Sequence, residues 1–445
     1  MTTAIAADEL LTRTHDPASV DAAYRRLSRR IVPILFLSYV VVYMDAYNIG
    51  FAQLQMKGHI GLSDTMYGVG ASLLVIGQLL FMLPSNLLLQ RIGARATILR
   101  IMLCWGVGSL AMAFITTPAQ FVVLRFVTGI LTTGFFTGLI LYLTFWYPSG
   151  RRARMMSVFM LAPVAAGVLV GPLSGWIIGT LHQYAGLQGW QWMFIIESLP
   201  CFVVSALVYP LLADRPEKAR WLTPRDREIV AHNLLADQSA MPAERLTSLR
   251  EVLANPRVYL LGLAGALVTF GMLGMAFFMP TIIRDLGVSD VRRVGLLSAI
   301  PYVVGGVAMV LYSRHSDRTL ERRWHMAGAM ATAAAGFVVL AGNSSVVGGV
   351  VGLVLVVGGL LSGPPVFWPI PAAFMSGTGA AAGIAVIMII CELGGALAPP
   401  ILGYIRTSTG SLEVAIYAIA LLLLLGAALL LAVVPRRLLH ERRPD

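Results

Sequence analysis

The sequence predicts an all-α integral membrane protein, with twelve transmembrane helices arranged as two six-helix bundles. Three observations predict it. Of 445 residues, 57% are hydrophobic and 12% charged, about half the charge of an ordinary soluble domain, and mean hydropathy is +0.78. Apolar runs long enough to cross a bilayer, roughly 18 to 25 residues, recur twelve times. The arginines and lysines collect in alternate turns between those runs. A soluble fold is excluded, because no soluble globule needs spanning-length runs again and again.

In chain order the runs lie near 31–55, 66–89, 96–115, 119–146, 153–180, 191–212, 257–283, 292–313, 325–342, 346–369, 378–405 and 411–434. Residues 1–30 are polar and basic, so the first run is expected to act as its own insertion signal in place of a cleavable leader. The long polar stretch 213–256, beginning ADRPEKARWLTPRDREIV, separates the sixth run from the seventh. Its alternating charges fit a cytoplasmic surface helix better than a nucleic-acid or signalling module. The domain division is therefore a cytoplasmic N-terminal segment (1–30), a first bundle (31–212), a linker (213–256), a second bundle (257–434) and a cytoplasmic tail (435–445). Basic turns in equivalent places, QRIGAR (90–95) and SDRTLERR (316–323), give weak internal symmetry of the kind transporters show.

Charge fixes an expected orientation. The net charge of +11 would suggest nucleic acid or an anionic surface in a soluble protein. Here 27 of the 33 basic residues fall on the side that holds both termini and the linker, counting Arg257 with the linker and Arg100 with the turn before it. The other side holds Lys57, Arg284, Arg292, Arg293 and Arg406, which leaves Arg125 within a span. This asymmetry puts both termini in the cytoplasm. The preponderance of arginine over lysine points to a GC-rich bacterial genome, and so to a bacterial inner membrane.

Several chemistries are absent from the sequence. Cys104, Cys201 and Cys391 lie far apart inside apolar runs, without the spacing of a disulfide framework or a metal site. All seven histidines lie at or beyond the ends of the runs, which argues against a histidine proton relay at mid-membrane. There is no GxxxxGK[ST] loop, no H-E-x-x-H and no nucleophile elbow, so neither ATP-driven transport nor an enzyme is indicated, and no cofactor or metal is expected.

The segments MDAYNIGFA (44–52), PSNLLLQRIGAR (84–95), GFFTGLILYLTFWYP (134–148), GPLSGW (171–176), GWQWMFIIESLP (189–200), VGLLSAIPYVVGG (294–306), SDRTLERRWH (316–325) and FMSGTGAAAGIA (374–385) resemble the anion:cation symporter family of the major facilitator superfamily. Its members are bacterial carriers of tartrate, sugar acids and aromatic acids. The resemblance runs in register from 31 to 434. It implies two six-helix bundles around a central cavity, alternating access, proton-coupled uptake of small organic anions and a monomeric carrier.

Few ionisable residues sit in the spans, and each is a functional candidate by default. Asp45, flanked by Tyr43, Tyr47 and Asn48 in the first span, is either the coupling carboxyl the resemblance implies or a carboxylate held by neighbouring helices. Arg125 matches a family arginine near the substrate carboxylate. Its guanidinium either grips an anion by two parallel hydrogen bonds or neutralises Asp45. Glu392 in IICELGGALAPP departs from an asparagine of the relatives, and binds a proton, a cation or an amine, or pairs across helices with no transport role. Glu197 matches the pattern and reads as scaffold, outside the expected cavity. Trp368 is either a cavity aromatic or an interfacial one. In the turns, Asp317 and Arg318, with Arg322 and Arg323, look like the superfamily's cytoplasmic latch. The first-half copy has Gln90 where an aspartate usually stands, leaving Arg91, Arg95 and backbone contacts to do its work. GPLSGW reads as a close-packing hinge of the fifth span.

Where relatives commonly carry arginine, glutamate, tyrosine, glutamate, tyrosine, tryptophan, asparagine and serine, this chain has Ala46, Thr132, Gln78, Met82, Leu273, Phe278, Met388 and Ile389 respectively. These changes strip charge and hydrogen-bonding capacity from the expected cavity, to which Gln78, Thr132 and Met388 are assigned together with Glu392. A polyhydroxylated acid would leave hydroxyls unpaired there. A monocarboxylate with a flat apolar or aromatic body fits better. Efflux of lipophilic or cationic compounds, and a membrane sensor that binds without transporting, are the competing functions.

Overall fold

In the computed structural model the described residues are 16–239, 249–374 and 377–434, and every regular element among them is helical. Twelve of the helical segments are long and apolar enough to cross a membrane. In a bilayer interior only closed hydrogen-bonding patterns leave no backbone group stranded, so apolar runs of this length become helices. The expected tail (435–445) and the start of the N-terminal segment (1–15) lie outside the described residues.

The first half comprises α1 (Pro17–His59), α2 (Asp64–Ile92), α3 (Ala94–Met112), a fourth span made of α4 (Pro118–Thr132) and α5 (Phe135–Thr144), a fifth made of α6 (Ser149–Phe159) and α7 (Ala162–Thr180), and α8 (Gly189–Leu211). The linker carries α9 (Pro224–Ser239) and α10 (Leu249–Ala254). The second half comprises α11 (Pro256–Asp285), α12 (Val291–Thr319), α13 (Arg323–Ala341), α14 (Val346–Phe367) with the short α15 (Pro369–Phe374), α16 (Gly377–Thr409) and α17 (Glu413–Val433). Several helix starts carry side-chain caps. Ser63 accepts from the N–H of Met66, Thr117 and Gln120 form a reciprocal capping box, and Ser345 accepts from Gly348.

Besides the break of the fifth span between Phe159 and Ala162 and that of the tenth at Trp368, two features differ from the apolar pattern. α1 begins at Pro17, well before residue 31. Asp16 caps it, and its polar first turns hold the linker helix through Arg26 Nη2 and Asp226 Oδ1 at 2.5 Å. The fourth span, expected unbroken, stops at Thr132 and restarts at Phe135. Gly134 there takes the left-handed conformation, φ +95°, which a residue without a Cβ adopts freely. Arg100, counted above with a turn, sits inside α3. Its Nη2 donates to Ser85 Oγ (3.0 Å) and to the buried carbonyl of Thr133 (3.3 Å), which also accepts from Ser85.

The bundles meet along two crossings, α7 with α12 and α2 with α16. Gly171 and Gly295 face each other so closely that a Cβ on either would strike the other's carbonyl group, and a Cβ on Gly68 would strike that of Pro399. GPLSGW therefore forms part of the seam. Tyr67 donates to the Phe277 carbonyl (2.9 Å), Ser72 to that of Ala396, and Thr65 Oγ1 to Thr407 Oγ1 (2.9 Å). These bonds between bundles cluster in the half remote from the termini. In the other half, Leu80 and Leu83 of α2 are 63% and 70% exposed.

Candidate functional site

Tyrosines recur every fourth residue in α1, at Tyr39, Tyr43 and Tyr47, which sets them on one helix face. Their ring centroids are 5.0 and 5.6 Å apart in turn, and Tyr302 of α12 stacks on Tyr47 at 5.8 Å, crossing from one bundle to the other. Tyr47 and Tyr302 line a small central cavity with Met272, Met275 and Ala276 of α11 and Val357, Leu360 and Leu361 of α14. Two hydroxyls are the only side-chain polar groups of that lining. Glu392 of α16, half-buried, lies within electrostatic reach of Tyr39 and Tyr43.

A second polar group is sealed inside the first bundle. Trp105 Nε1 of α3 donates to Asp45 Oδ2, whereas Asp45 Oδ1 has no hydrogen-bond partner. Arg125 of α4 is 4% exposed, and its Nε and Nη2 are likewise unpartnered, as is Ser109 Oγ. Asp45 and Arg125 feel each other's charge, yet no ion pair within 4.0 Å joins them among the described residues. Buried donors beside a half-satisfied carboxyl can accept an anion, a water or a proton without breaking an existing bond.

Asn48 turns toward Glu197. Its Nδ2 donates to Glu197 Oε2 at 2.8 Å, and Ser174 Oγ donates to Oε1 at 2.6 Å. Of the other assigned residues, Thr132 is buried and gives its hydroxyl to the Thr128 carbonyl one turn back (2.7 Å), with Gln78 Nε2 reaching it at 3.5 Å. Met388 and Trp368 are half-buried, Trp368 lying edge-on to Phe367 with centroids 5.4 Å apart. Phe278 is fully buried against Tyr67, and Leu273 packs with Leu74, Val75 and Ala396. Those two departures from the relatives fill the seam between bundles, so the pocket is less altered than the sequence comparison implied.

The turns on the termini side hold their partners within their own bundles. Asp317 accepts from Arg322, five residues on, while Arg318 and Arg91 are exposed. Arg95 donates to the Tyr209 carbonyl and lies over the Tyr209 ring at 3.8 Å, and its backbone N–H reaches Asp214 Oδ1 at 3.4 Å. Burial works against the charge of Glu321, but the Trp324 N–H and the His325 ring and N–H outweigh it and hold that carboxyl below its ordinary range.

Sequence reasoning missed three participants. Tyr39 was legible from the four-residue spacing of tyrosines. Trp105 and Ser174 carried no signal, since their roles depend on which helices become neighbours.

Residues 35–399 match the Major Facilitator Superfamily. Over 410 residues the chain is 42% identical to a "Putative tartrate transporter" of Agrobacterium vitis, covering 92% of this chain and 90% of that protein. It is 35% identical over 405 residues to a "Quinolone resistance transporter" of Acinetobacter baumannii, covering 91% and 93%. Among solved structures it is similar in fold to a bacterial homolog of the human lysosomal transporter Spinster, with TM-score 0.72 and 17% identity over 93% of this chain and 98% of that one. The twelve apolar helices in two bundles, the glycine-lined seam and this match along most of the chain agree: the protein belongs to the Major Facilitator Superfamily and is a multi-pass inner-membrane transporter, not an enzyme.

Proposed function

We propose that the chain takes up a small organic anion together with protons by alternating access, as a monomer with both termini in the cytoplasm. The observation that carries this reading is Arg125, a guanidinium buried in the first bundle with two nitrogens unpartnered. Uncompensated donors in a low-dielectric interior are costly to keep unless a ligand uses them. Asp45 beside it is the coupling carboxyl, free on one oxygen to bind the proton. The seam closes the half remote from the termini, so with cytoplasmic termini the cavity opens inward here.

The apolar lining around Tyr47, Tyr302 and the methionines of α11 supports a monocarboxylate with an apolar or aromatic body by its chemistry, since its volume of about 20 Å³ in this conformation is that of a water. The relative named for tartrate supports a hydroxylated diacid instead. Thermal shift of the purified protein across benzoate-like acids, tartrate and galactonate, followed by counterflow in proteoliposomes, decides between them. Tighter binding of tartrate or galactonate than of a benzoate-like acid rejects the apolar reading. Asp45→Asn is expected to abolish pH-driven accumulation while counterflow persists in part. Full pH-driven uptake in that variant rejects Asp45 as the coupling site.

A second reading is efflux, favoured by the relative named for quinolone resistance and by Glu392 beside the tyrosine face, where a cationic or amine group would be neutralised. Flux direction in oriented vesicles separates the two.

A further inference from the structure

The first bundle buries an acidic side chain that anion binding at Arg125 does not use. Glu197 is 4% exposed and accepts hydrogen bonds from Asn48 Nδ2 at 2.8 Å and Ser174 Oγ at 2.6 Å. No basic side chain pairs with it among the described residues. A glutamate kept only for architecture in a membrane interior is expected to be matched by arginine or lysine, because its charge is otherwise uncompensated. Glu197 has neutral partners instead, and both are donors and acceptors.

That chemistry serves either protonation state. Toward a carboxylate, both partners donate, as the structure has them. Toward a carboxylic acid, one partner must accept the new O–H. Asn48 holds that acceptor in reserve, since its Oδ1 is buried with no hydrogen-bond partner, and turning the amide over presents it. Asn48 follows Asp45 by three residues on the same face of α1, so the two acidic groups sit on either side of one amide. The charged groups that bear on this cluster are Asp45 on α1 and, beyond it, Arg125 on α4; α7 contributes only Ser174.

We propose that Glu197 is a second proton-binding site of the transport cycle, paired with Asp45 and switched between acid and carboxylate by rotation of the Asn48 amide. The proposal rests on proton coupling at Asp45. It returns to the first bundle the second carboxyl that Thr132 lacks, so that a monovalent anion enters with two protons and transport moves net positive charge inward. Glu197→Gln keeps the shape, accepts from one partner through its oxygen and donates its NH2 to the other, once the Asn48 amide or the Ser174 hydroxyl reverses, but cannot exchange a proton.

The test measures protons moved per substrate, from the reversal potential of uptake in proteoliposomes, for the wild type, Glu197→Gln and Asp45→Asn. Glu197→Gln is expected to retain counterflow, to lose one proton per substrate and to lose the response of uptake to an imposed membrane potential. An unchanged ratio in Glu197→Gln, with Asp45→Asn uncoupled, overturns the proposal and leaves Asp45 coupling intact. Coupled uptake in Asp45→Asn overturns the coupling reading itself. Should Glu197→Gln fail to insert, infrared titration of the wild type against Ser174→Ala supplies the answer. A protonated-carboxyl band that shifts when the Ser174 hydroxyl is removed supports the site, and a band unmoved by that change overturns it.

Discussion

The two ends of this transporter are built from different interactions. At the end remote from the termini, charges join elements across the chain. Asp64 at the start of α2 accepts from Gln53 Nε2 (2.8 Å) and Lys57 Nζ (2.7 Å), and Arg406 of α16 approaches it at 3.3 Å while pairing with Asp285 of α11 through two bonds of 2.7 and 3.0 Å. Arg284 and Arg292 cap this with bonds to the carbonyls of Leu54 and Gly179 in the other bundle. At the termini end, the partners that Asp317, Arg95 and Arg323 do find lie inside one bundle each. The basic residues number far fewer at the sealed end, yet that is where they hold the halves together. Count sets orientation, whereas position at a seam sets conformation.

The largest expected effect comes from cutting the sealed end at its centre. Arg406 is 14% exposed and Asp64 5%, so removing the arginine takes from Asp64 one of its two cations, Lys57 remaining, and from the half-exposed Asp285 its partner. Losing charge-assisted bonds of this kind costs about 2 kcal/mol, enough to move a two-state equilibrium by about thirtyfold. Arg406→Ala is expected to populate the state open at the sealed end. Labelling of a cysteine placed at Thr65, on that seam, should rise accordingly in intact vesicles. Labelling no faster than in the Arg406-containing parent would show that glycine packing, rather than charge, closes this end.

A smaller effect is expected from the other end. Asp317→Asn removes a pair that in this conformation is local to its turn and 63% exposed on the aspartate side. Its cost here is below about 1 kcal/mol. If Asp317 instead receives the opposing bundle when the termini end closes, the variant lowers the closed population while leaving binding from the open side unchanged. Counterflow that is slowed without a change in binding affinity is the expected signature. Unaltered counterflow would leave the turn as a solvated loop.

The contrast also explains how much of the molecule was legible in the sequence. Helices and their number were readable because bilayer length and backbone hydrogen bonding leave one local solution. That Asp45 and Arg125 are charges buried within spans was readable because charge is rare there. The seam was not readable, since Gly171 meeting Gly295, or Ser72 meeting the Ala396 carbonyl, depends on pairs more than a hundred residues apart. The same reason hid the partners of Asn48, which looks like a cavity residue from its position next to Tyr47 but faces Glu197. The break of the fourth span had a local signal in Gly134, although only Arg100 and Ser85 arriving from α3 and α2 make it stable.

The smallest expected effect tests the termini end through its linker. Burial opposes the charge of Asp226, but hydrogen bonds from Arg26 and Thr223 outweigh it and hold the carboxyl below its ordinary range. A carboxyl depressed in the folded chain stabilises the fold at pH values above its unfolded value, near 4, and loses that contribution as pH falls through the depressed one. Asp226→Asn should therefore melt earlier than the wild type at pH 7, by about 2 °C or less in a chain of this size, with the gap closing on acidification below about pH 4. Salt should narrow the gap as well, because Arg26 is largely exposed and its charge is screened. Melting curves at neutral and acid pH, at low and high salt, measure it. A gap of constant size across that pH range would mean that the Arg26–Asp226 pair adds nothing to the docking of α9 on α1, leaving the bond from Arg225 to Ser19 and packing to hold it, with the pair of Arg151 and Asp21 as the charged tie of α1 to its own bundle at this end.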